Sequence, residues 1–276
     1  MSYKTILIHV DDTSGNPARI QIAGEIALRF DAHLSAVADT GVARFVFLDG
    51  NISGVDPSLI VNMNQMRDRA TKNIKAFKKQ VDVMGLRSFD GIVAKEDAWG
   101  SVGLRSRYCD LSVVGQTNPA EMSDAIMDDF PEYMVLNSGR PTLIVPYAGE
   151  FSNIGQRPIV AWDGSRAAAR AVTDALPFLK LAESVSIAMF NSKLSAGEQV
   201  GAELVAFLGR HDIQAEVIAK KTKLDIGNAL LSLAADCNAD MLVMGGYGHS
   251  RLREMIMGGV TRRILESMTL PVLMSH

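Results

Sequence analysis

Cysteine is scarce: Cys109 and Cys237 are the only two in 276 residues, and they lie far apart. That excludes a disulfide framework, and the spacing offers no zinc site. Positive charge is not in excess either. Twenty-eight basic residues against 31 acidic ones leave a formal net charge of −3, with a pI near 6.0, which argues against a general nucleic-acid binder. No apolar run reaches the length of a membrane span, and the N-terminal residues lack a signal-peptide pattern. A reducing, cytoplasmic setting is therefore expected. Catalytic signatures are missing as well: there is no GxSxG elbow, no HExxH pair and no Cys–His arrangement with an orienting acid. Neither GxxxxGK[ST] nor GxGxxG occurs.

What is present is an ordinary globular composition, 47% hydrophobic and 21% charged, with ample apolar material for a core. It is written twice. Ile6-Leu-Ile-His-Val-Asp-Asp12-Thr-Ser14 resembles Ile159-Val-Ala-Trp-Asp163-Gly-Ser165, each a short strand ending in Asp-x-Ser. Placing Asp12 on Asp163 gives an offset of 151. Asp110-Leu-Ser-Val-Val-Gly115 matches Asp240-Met-Leu-Val-Met-Gly245 at an offset of 130, which also puts Pro141–Ile144 on Pro271–Met274 without a gap. A repeat of this period is a duplicated domain, with the extra length of the first copy in its middle.

Each copy alternates apolar strands with helical periodicity. Strands are expected near 4–10, 34–38, 88–93, 111–114 and 142–145, then near 158–161, 184–190, 214–219, 241–244 and 271–274. Helices are expected near 17–30, 58–84, 98–107 and 131–137, then near 165–180, 198–211, 225–236 and 259–268. The alternation implies a parallel sheet covered on both faces. Residues 146–156, rich in Pro, Gly, Ser and Asn, read as a linker between domains 1–147 and 157–276. In the helix near 58–84, Met63, Met66, Ala70, Ile74, Phe77, Val81 and Met84 recur every three or four residues. Arg67, Arg69, Lys72, Lys75, Lys78 and Lys79 occupy other faces, as in an amphipathic helix with a solvated basic side. Phe45-Val-Phe-Leu48, in the loop before it, is too apolar for a simple tether.

The stretch with most chemical content is Asp240 to Thr261. A buried strand ends in Gly245, Gly246 and Gly248, and Gly258-Gly259-Val260-Thr261 opens a helix. Strand, glycine loop and helix N-terminus together suit a bound phosphate, because bare N–H groups and the helix dipole favour negative charge. The spacing Gly245, two residues, Gly248, nine residues, Gly258 resembles the G-x2-G-x9-G-(Ser/Thr) signature of the universal stress protein family. Gly259 departs from it, since that position usually carries Ser or Thr; Thr261 is the nearby hydroxyl that could substitute.

The resemblance implies two tandem doubly wound α/β domains, each a five-stranded parallel sheet of order 3-2-1-4-5 with helices on both faces. It implies a cytoplasmic stress-response protein that binds ATP or a related adenine nucleotide, with or without Mg2+, in its C-terminal domain, and acts as a nucleotide-dependent regulator. Carried onto this chain, Asp163, flanked by Ala161 and Trp162, would serve adenine or ribose. Met244, Gly245, Gly248, His249, Gly258, Gly259, Val260 and Thr261 would hold ribose and phosphates. Read from the residues alone, Asp163 is equally a turn or capping acid, Ser165 a helix cap, His249 a loop hydrogen-bonder and Trp162 a packing residue. Arg251 and Arg253 also follow the glycine loop. Trp99 has no partner motif.

The expected partners are the nucleotide and an intrachain pseudo-dimer of the two domains, with homodimer formation open, no nucleic acid and no membrane span. No metal site and no catalytic residue is expected. The alternatives are a slow ATPase and a nucleotide-free scaffold for an apolar metabolite or partner protein. The copies are expected to be unequal: the offset of 130 puts Asn118, Asp128, Asp129 and Pro131 in place of Gly248, Gly258, Gly259 and Thr261. Two carboxylates then stand where the other copy offers bare N–H groups, and Pro131 removes a donor.

Overall fold

The computed structural model describes residues 2–40, 57–95, 97–121, 129–191, 194–247 and 259–276, with 57–63 and 194–200 as backbone only. The chain divides into two compact units, Tyr3–Arg140 and, with the first two residues, Pro141–His276.

In the N-terminal unit the elements are β1 (Thr5–His9), α1 (Asn16–Phe30), β2 (His33–Asp39), α2 (Pro57–Val83), β3 (Phe89–Ala94), α3 (Ala98–Arg105) with a 3₁₀ turn (Ser106–Tyr108), β4 (Leu111–Gly115) and α4 (Phe130–Asn137). The strands lie in the order β3-β2-β1-β4, all parallel. β1 and β4 are buried on both faces, which is why they read as continuous apolar runs. α1 and α2 pack on one side, α3 and α4 on the other. The expected methionine-stripe helix is α2, whose Ala70, Ile74, Phe77 and Val81 are buried. Met84, just past its end, lies over Gly24 of α1, where a side chain on residue 24 would meet the Met84 thioether at 2.5 Å. The Phe45–Leu48 segment lies outside the described residues.

The C-terminal unit contains β5 (Thr142–Val145), β6 (Pro158–Ala161), α5 (Arg166–Leu179), β7 (Val185–Phe190), α6 (Leu194–Gly209), β8 (Ala215–Lys220), α7 (Ile226–Asp236), β9 (Met241–Gly245), α8 (Val260–Ser267) and β10 (Val272–Ser275). β8-β7-β6-β9-β10 realise the expected order 3-2-1-4-5 in parallel. β5, the fifth strand of the first copy, runs antiparallel to β10 with Leu143 opposite Leu273. The fold is thus α/β with mostly parallel sheet, as the alternation of patterns required.

Every element falls within a few residues of expectation; the largest shift is at α6, which starts at 194 rather than 198. Both units share one clasp. Asp110, just before β4, accepts from the backbone N–H groups of Lys4 and Thr5 at 2.7 and 3.0 Å. Its counterpart Asp240, just before β9, accepts from Gly155, Gln156 and Arg157 at 2.9, 2.8 and 2.9 Å. Each carboxylate ties the start of the fourth strand to the start of the first, with charge-assisted bonds stronger than neutral ones.

The offset of 130 holds through strand, helix and strand, since β4, α4 and β5 coincide with β9, α8 and β10 residue for residue. The offset of 151 at the first strand does not hold. β1 pairs β4 with Ile8 opposite Val113, and β6 pairs β9 with Val160 opposite Val243, so Ile8 is equivalent to Val160. Counting on, Asp163 corresponds to Asp11, not Asp12. The Asp-x-Ser match misled because the turn from the first strand to its helix is two residues longer in the N-terminal unit. Asp11 accepts from the Thr13 N–H as Asp163 accepts from the Ser165 N–H, and Asp12 is an exposed acid 3.8 Å from Arg69.

Candidate functional site

The strand order of the C-terminal unit reverses between β6 and β9, and crevices in such sheets open there, beyond the carboxyl ends of the strands. β6 delivers Ala161, Trp162 and Asp163. Asp163 is exposed; one carboxylate oxygen accepts from the Ser165 N–H at 2.9 Å, and no cation pairs with it among the described residues. It is therefore a turn acid, with its charge still available. Gly164, at φ +76°, makes the turn, and Ser165 caps α5 by accepting from the Ala168 N–H at 3.1 Å, as expected. The Trp162 indole N–H is buried without a partner among the described residues.

β9 ends at Met244 and Gly245. A Cβ on Gly245 would stand 2.5 Å from the Ala168 nitrogen and 2.6 Å from the Ala167 carbonyl carbon, so this glycine is demanded by the first turn of α5 pressing on the strand end. Tyr247 follows in the left-handed region at φ +55°, and its N–H donates to the Thr261 hydroxyl at 3.2 Å. Thr261 is 3% exposed, so its hydroxyl ties the strand end to the start of α8. Gly259 stands at the N-cap of α8 with no side-chain cap, and the first turn carries no acid. The structure thus ties the end of β9, at Gly245 to Tyr247, to the start of α8 at Thr261, and places Asp163 just beyond the neighbouring strand β6. Gly248, His249, Arg251, Arg253 and Gly258 lie outside the described residues. His276 was not singled out from sequence; its Nδ1 lies 3.0 Å from the Gly246 carbonyl, a contact that only the position of β10 beside β9 could reveal.

The equivalent place in the N-terminal unit is built oppositely. Asp11 is paired with Arg19 at 2.7 Å, and the same guanidinium donates to Asn16 Oδ1 at 3.0 Å. Arg19 is 3% exposed and lies directly against Gly115, the counterpart of Gly245. Burial alone would raise the Asp11 pKa, but Arg19, His9 and the bonds from Thr13 outweigh it and hold the carboxyl well below its ordinary range. His9, also buried, is 2.8 Å from Asp39 through Nε2 and 3.6 Å from Asp11 through Nδ1, with Phe130 edge-on to its ring at 5.0 Å. Asp129 stands at the N-cap of α4, Pro131 lies in its first turn, and Glu132 adds an acid there. The cavity among His9, Asp11, Arg19, Gly115, Asn118 and Phe130 has a volume of about 40 Å³, room for about three waters. Trp99, for which sequence gave no role, stacks on Tyr133 at 4.9 Å and 6°, a packing that needs the bare Gly103 beside it.

Among the described residues, no group of three or more His, Cys, Asp and Glu side chains could hold a metal, and no helix is long and apolar enough to cross a membrane.

Residues 156–276 match the model of the universal stress protein family. A universal stress protein from Archaeoglobus fulgidus DSM 4304 superposes on the chain with a TM-score of 0.75 at 15% identity, covering 98% of this chain and 97% of that one. A functionally unknown protein from Pseudomonas aeruginosa PAO1 superposes with a TM-score of 0.61 at 16% identity, covering 99% and 92%. A universal stress protein in complex with cAMP covers 54% of this chain with all of its own, at a TM-score of 0.37 and 16% identity. A comparison with curated proteins found no match.

Proposed function

We propose that this chain, whose residues 156–276 match the model of the universal stress protein family, is a member of that family that binds one adenine nucleotide in its C-terminal domain and acts as a regulator through the bound state. The observation that carries the reading is the contrast between two copies of one site. In the C-terminal copy the first-strand acid, Asp163, is exposed and without a charged partner among the described residues, and α8, the helix after the fourth strand, starts on a bare Gly259. In the N-terminal copy the same acid is consumed by Arg19, and the helix starts on Asp129. An exposed carboxylate suits the hydroxyl or amino donors of a nucleoside. A helix start with uncapped N–H groups suits phosphate. Gly258 and Gly259 continue that cradle, and Asp163, flanked by Trp162, holds the adenosine end.

In the N-terminal domain of this proposal, residues 1–147, the site is structural. Its first-strand acid is already paired with Arg19, and its helix start is acidic.

The test is calorimetry with ATP on the full chain, alongside mass spectrometry of small molecules released from freshly purified protein. One nucleotide per chain is expected. Gly259→Asp copies the N-terminal residue at a position where Asp also caps a helix well, so the fold is kept while a negative charge enters the cradle. It is expected to abolish binding, and Asp163→Ala to weaken the preference for ATP over GTP and UTP. Unchanged ATP affinity in Gly259→Asp, or two sites per chain, would refute the assignment.

A further inference from the structure

Duplication supplies an internal control for each surface of this protein. α2 and α6 have the same place in their units, each packing against the second and third strands. Their charges differ. α6, residues 194–209, contains no Lys or Arg and two acids, Glu198 and Glu203. α2, residues 57–83, contains six cations, Arg67, Arg69, Lys72, Lys75, Lys78 and Lys79, against Asp68 and Asp82, in a chain whose overall balance is acidic. Covering a sheet therefore does not require the cations.

Five of them share one side. Arg67, Lys72, Lys75, Lys78 and Lys79 are all exposed, while Ala70, Ile74, Phe77 and Val81 face the sheet. At 3.6 residues per turn the five span an arc of roughly 140° and a length of about 18 Å; the exposed Asp68 and Asp82 fall on the same arc, so the face keeps a net excess of three positive charges. Among the described residues none of the five has a carboxylate within ion-pair distance; Arg69, off this arc, is the one near an acid, Asp12 at 3.8 Å.

From this placement we infer that the exposed face of α2 is a docking surface for an anionic phospholipid bilayer, which the protein touches peripherally through Arg67, Lys72, Lys75, Lys78 and Lys79. Charge complementarity selects the class of partner, and composition selects within it. Four of the five are lysines, hydrated point charges on flexible stems, suited to a diffuse negative surface rather than to the fixed fork geometry of a single phosphate. The arc has no aromatic side chain on which nucleic-acid bases could stack. It also lacks the central aromatic or aliphatic anchor around which protein interfaces concentrate their energy. Val83, 81% exposed where the helix ends, adds an apolar tip at the rim. A basic cluster of this size on an amphipathic helix is what anionic headgroups attract. The inference is independent of the nucleotide reading.

The experiment is flotation of the full-length chain with vesicles of phosphatidylcholine alone, or with about a third of the lipid replaced by phosphatidylglycerol. Partitioning onto the anionic vesicles at low salt is expected, with none onto the neutral ones and a loss of more than tenfold in molar salt, where charges are screened beyond about 3 Å. Reversing Lys72, Lys75, Lys78 and Lys79 to Glu, all exposed and so compatible with folding, is expected to cut partitioning more than tenfold. The same reversal at the exposed Lys180, Lys220, Lys221 and Lys223 of the C-terminal unit is expected to leave most of it. Failure of the wild-type chain to float with anionic vesicles would overturn the inference. So would equal loss in both quadruple variants, or tighter binding to duplex or single-stranded DNA than to the vesicles.

Discussion

Replacing Arg19 by Met separates the two halves of the argument about the N-terminal site. Arg19 and Asp11 are 2.7 Å apart, with side chains 4% and 14% exposed. At an effective dielectric of 20, that separation corresponds to an attraction of about 6 kcal/mol, against a desolvation cost of several kcal/mol per ion. The pair contributes little net stability, but losing one partner leaves the other charged and buried, which costs about 3–5 kcal/mol. Arg19→Met keeps most of the buried volume, so the loss reports charge rather than a cavity.

The sign with pH follows from Asp11. Its folded pKa is depressed, so its contribution to wild-type stability is present above its unfolded value of about 3.9 and is lost as pH falls toward the folded value. Without Arg19 burial is opposed only by His9 and the bonds from Thr13, so the folded pKa rises and the variant loses most at neutral pH. The difference between the two proteins is expected to be about 4 kcal/mol at pH 7, roughly 10 °C in melting temperature, and to shrink below pH 4 as Asp11 takes up a proton. Urea denaturation at both pH values, followed by a signal from the N-terminal unit, measures it. Adding Asp11→Asn to Arg19→Met should restore a large part of the loss. A penalty below about 1 kcal/mol at pH 7, or one independent of pH, would refute the reasoning that Asp11 is held charged by Arg19.

Three further outcomes are expected. Asp240→Ala removes an acceptor from three backbone N–H groups and should cost about 2 kcal/mol in denaturant titrations of the C-terminal unit; an effect within 0.5 kcal/mol, roughly that of an ordinary surface substitution, would count against the clasp. Gly245→Ala drives a methyl group to 2.5 Å from the Ala168 nitrogen and should destabilise by about 1–3 kcal/mol even with no nucleotide present, whereas a purely ligand-dependent effect would place that glycine's role elsewhere. Hydrolysis of bound ATP should be slow or undetectable, since no base or arginine finger is recognisable in the sequence; turnover of about 1 s⁻¹ or faster would promote the enzymatic alternative.

Sequence by itself determined the duplication, the fold class and nearly every element, because buried parallel strands and amphipathic helices each impose a period that a linear pattern displays. It also determined the chemical asymmetry of the two copies, since Gly258 and Gly259 against Asp128 and Asp129 is a difference of residue type at fixed spacing. Tertiary structure alone decided the register at the first strand. Asp12 and Asp163 share the local word Asp-x-Ser, yet hydrogen bonding across the sheet aligns Asp163 with Asp11. Tertiary structure also gave Arg19 its meaning. In the chain it is one cation on a helix eight residues after Asp11, and only the packing of α1 on β1 and β4 turns it into the buried partner that consumes the acid. The stacking of Trp99 on Tyr133 and the contact of His276 with Gly246 belong to the same class, for they join residues distant in sequence that no local period connects. Local pattern is set by which face of an element is buried; what a buried polar group meets there is set by the other elements.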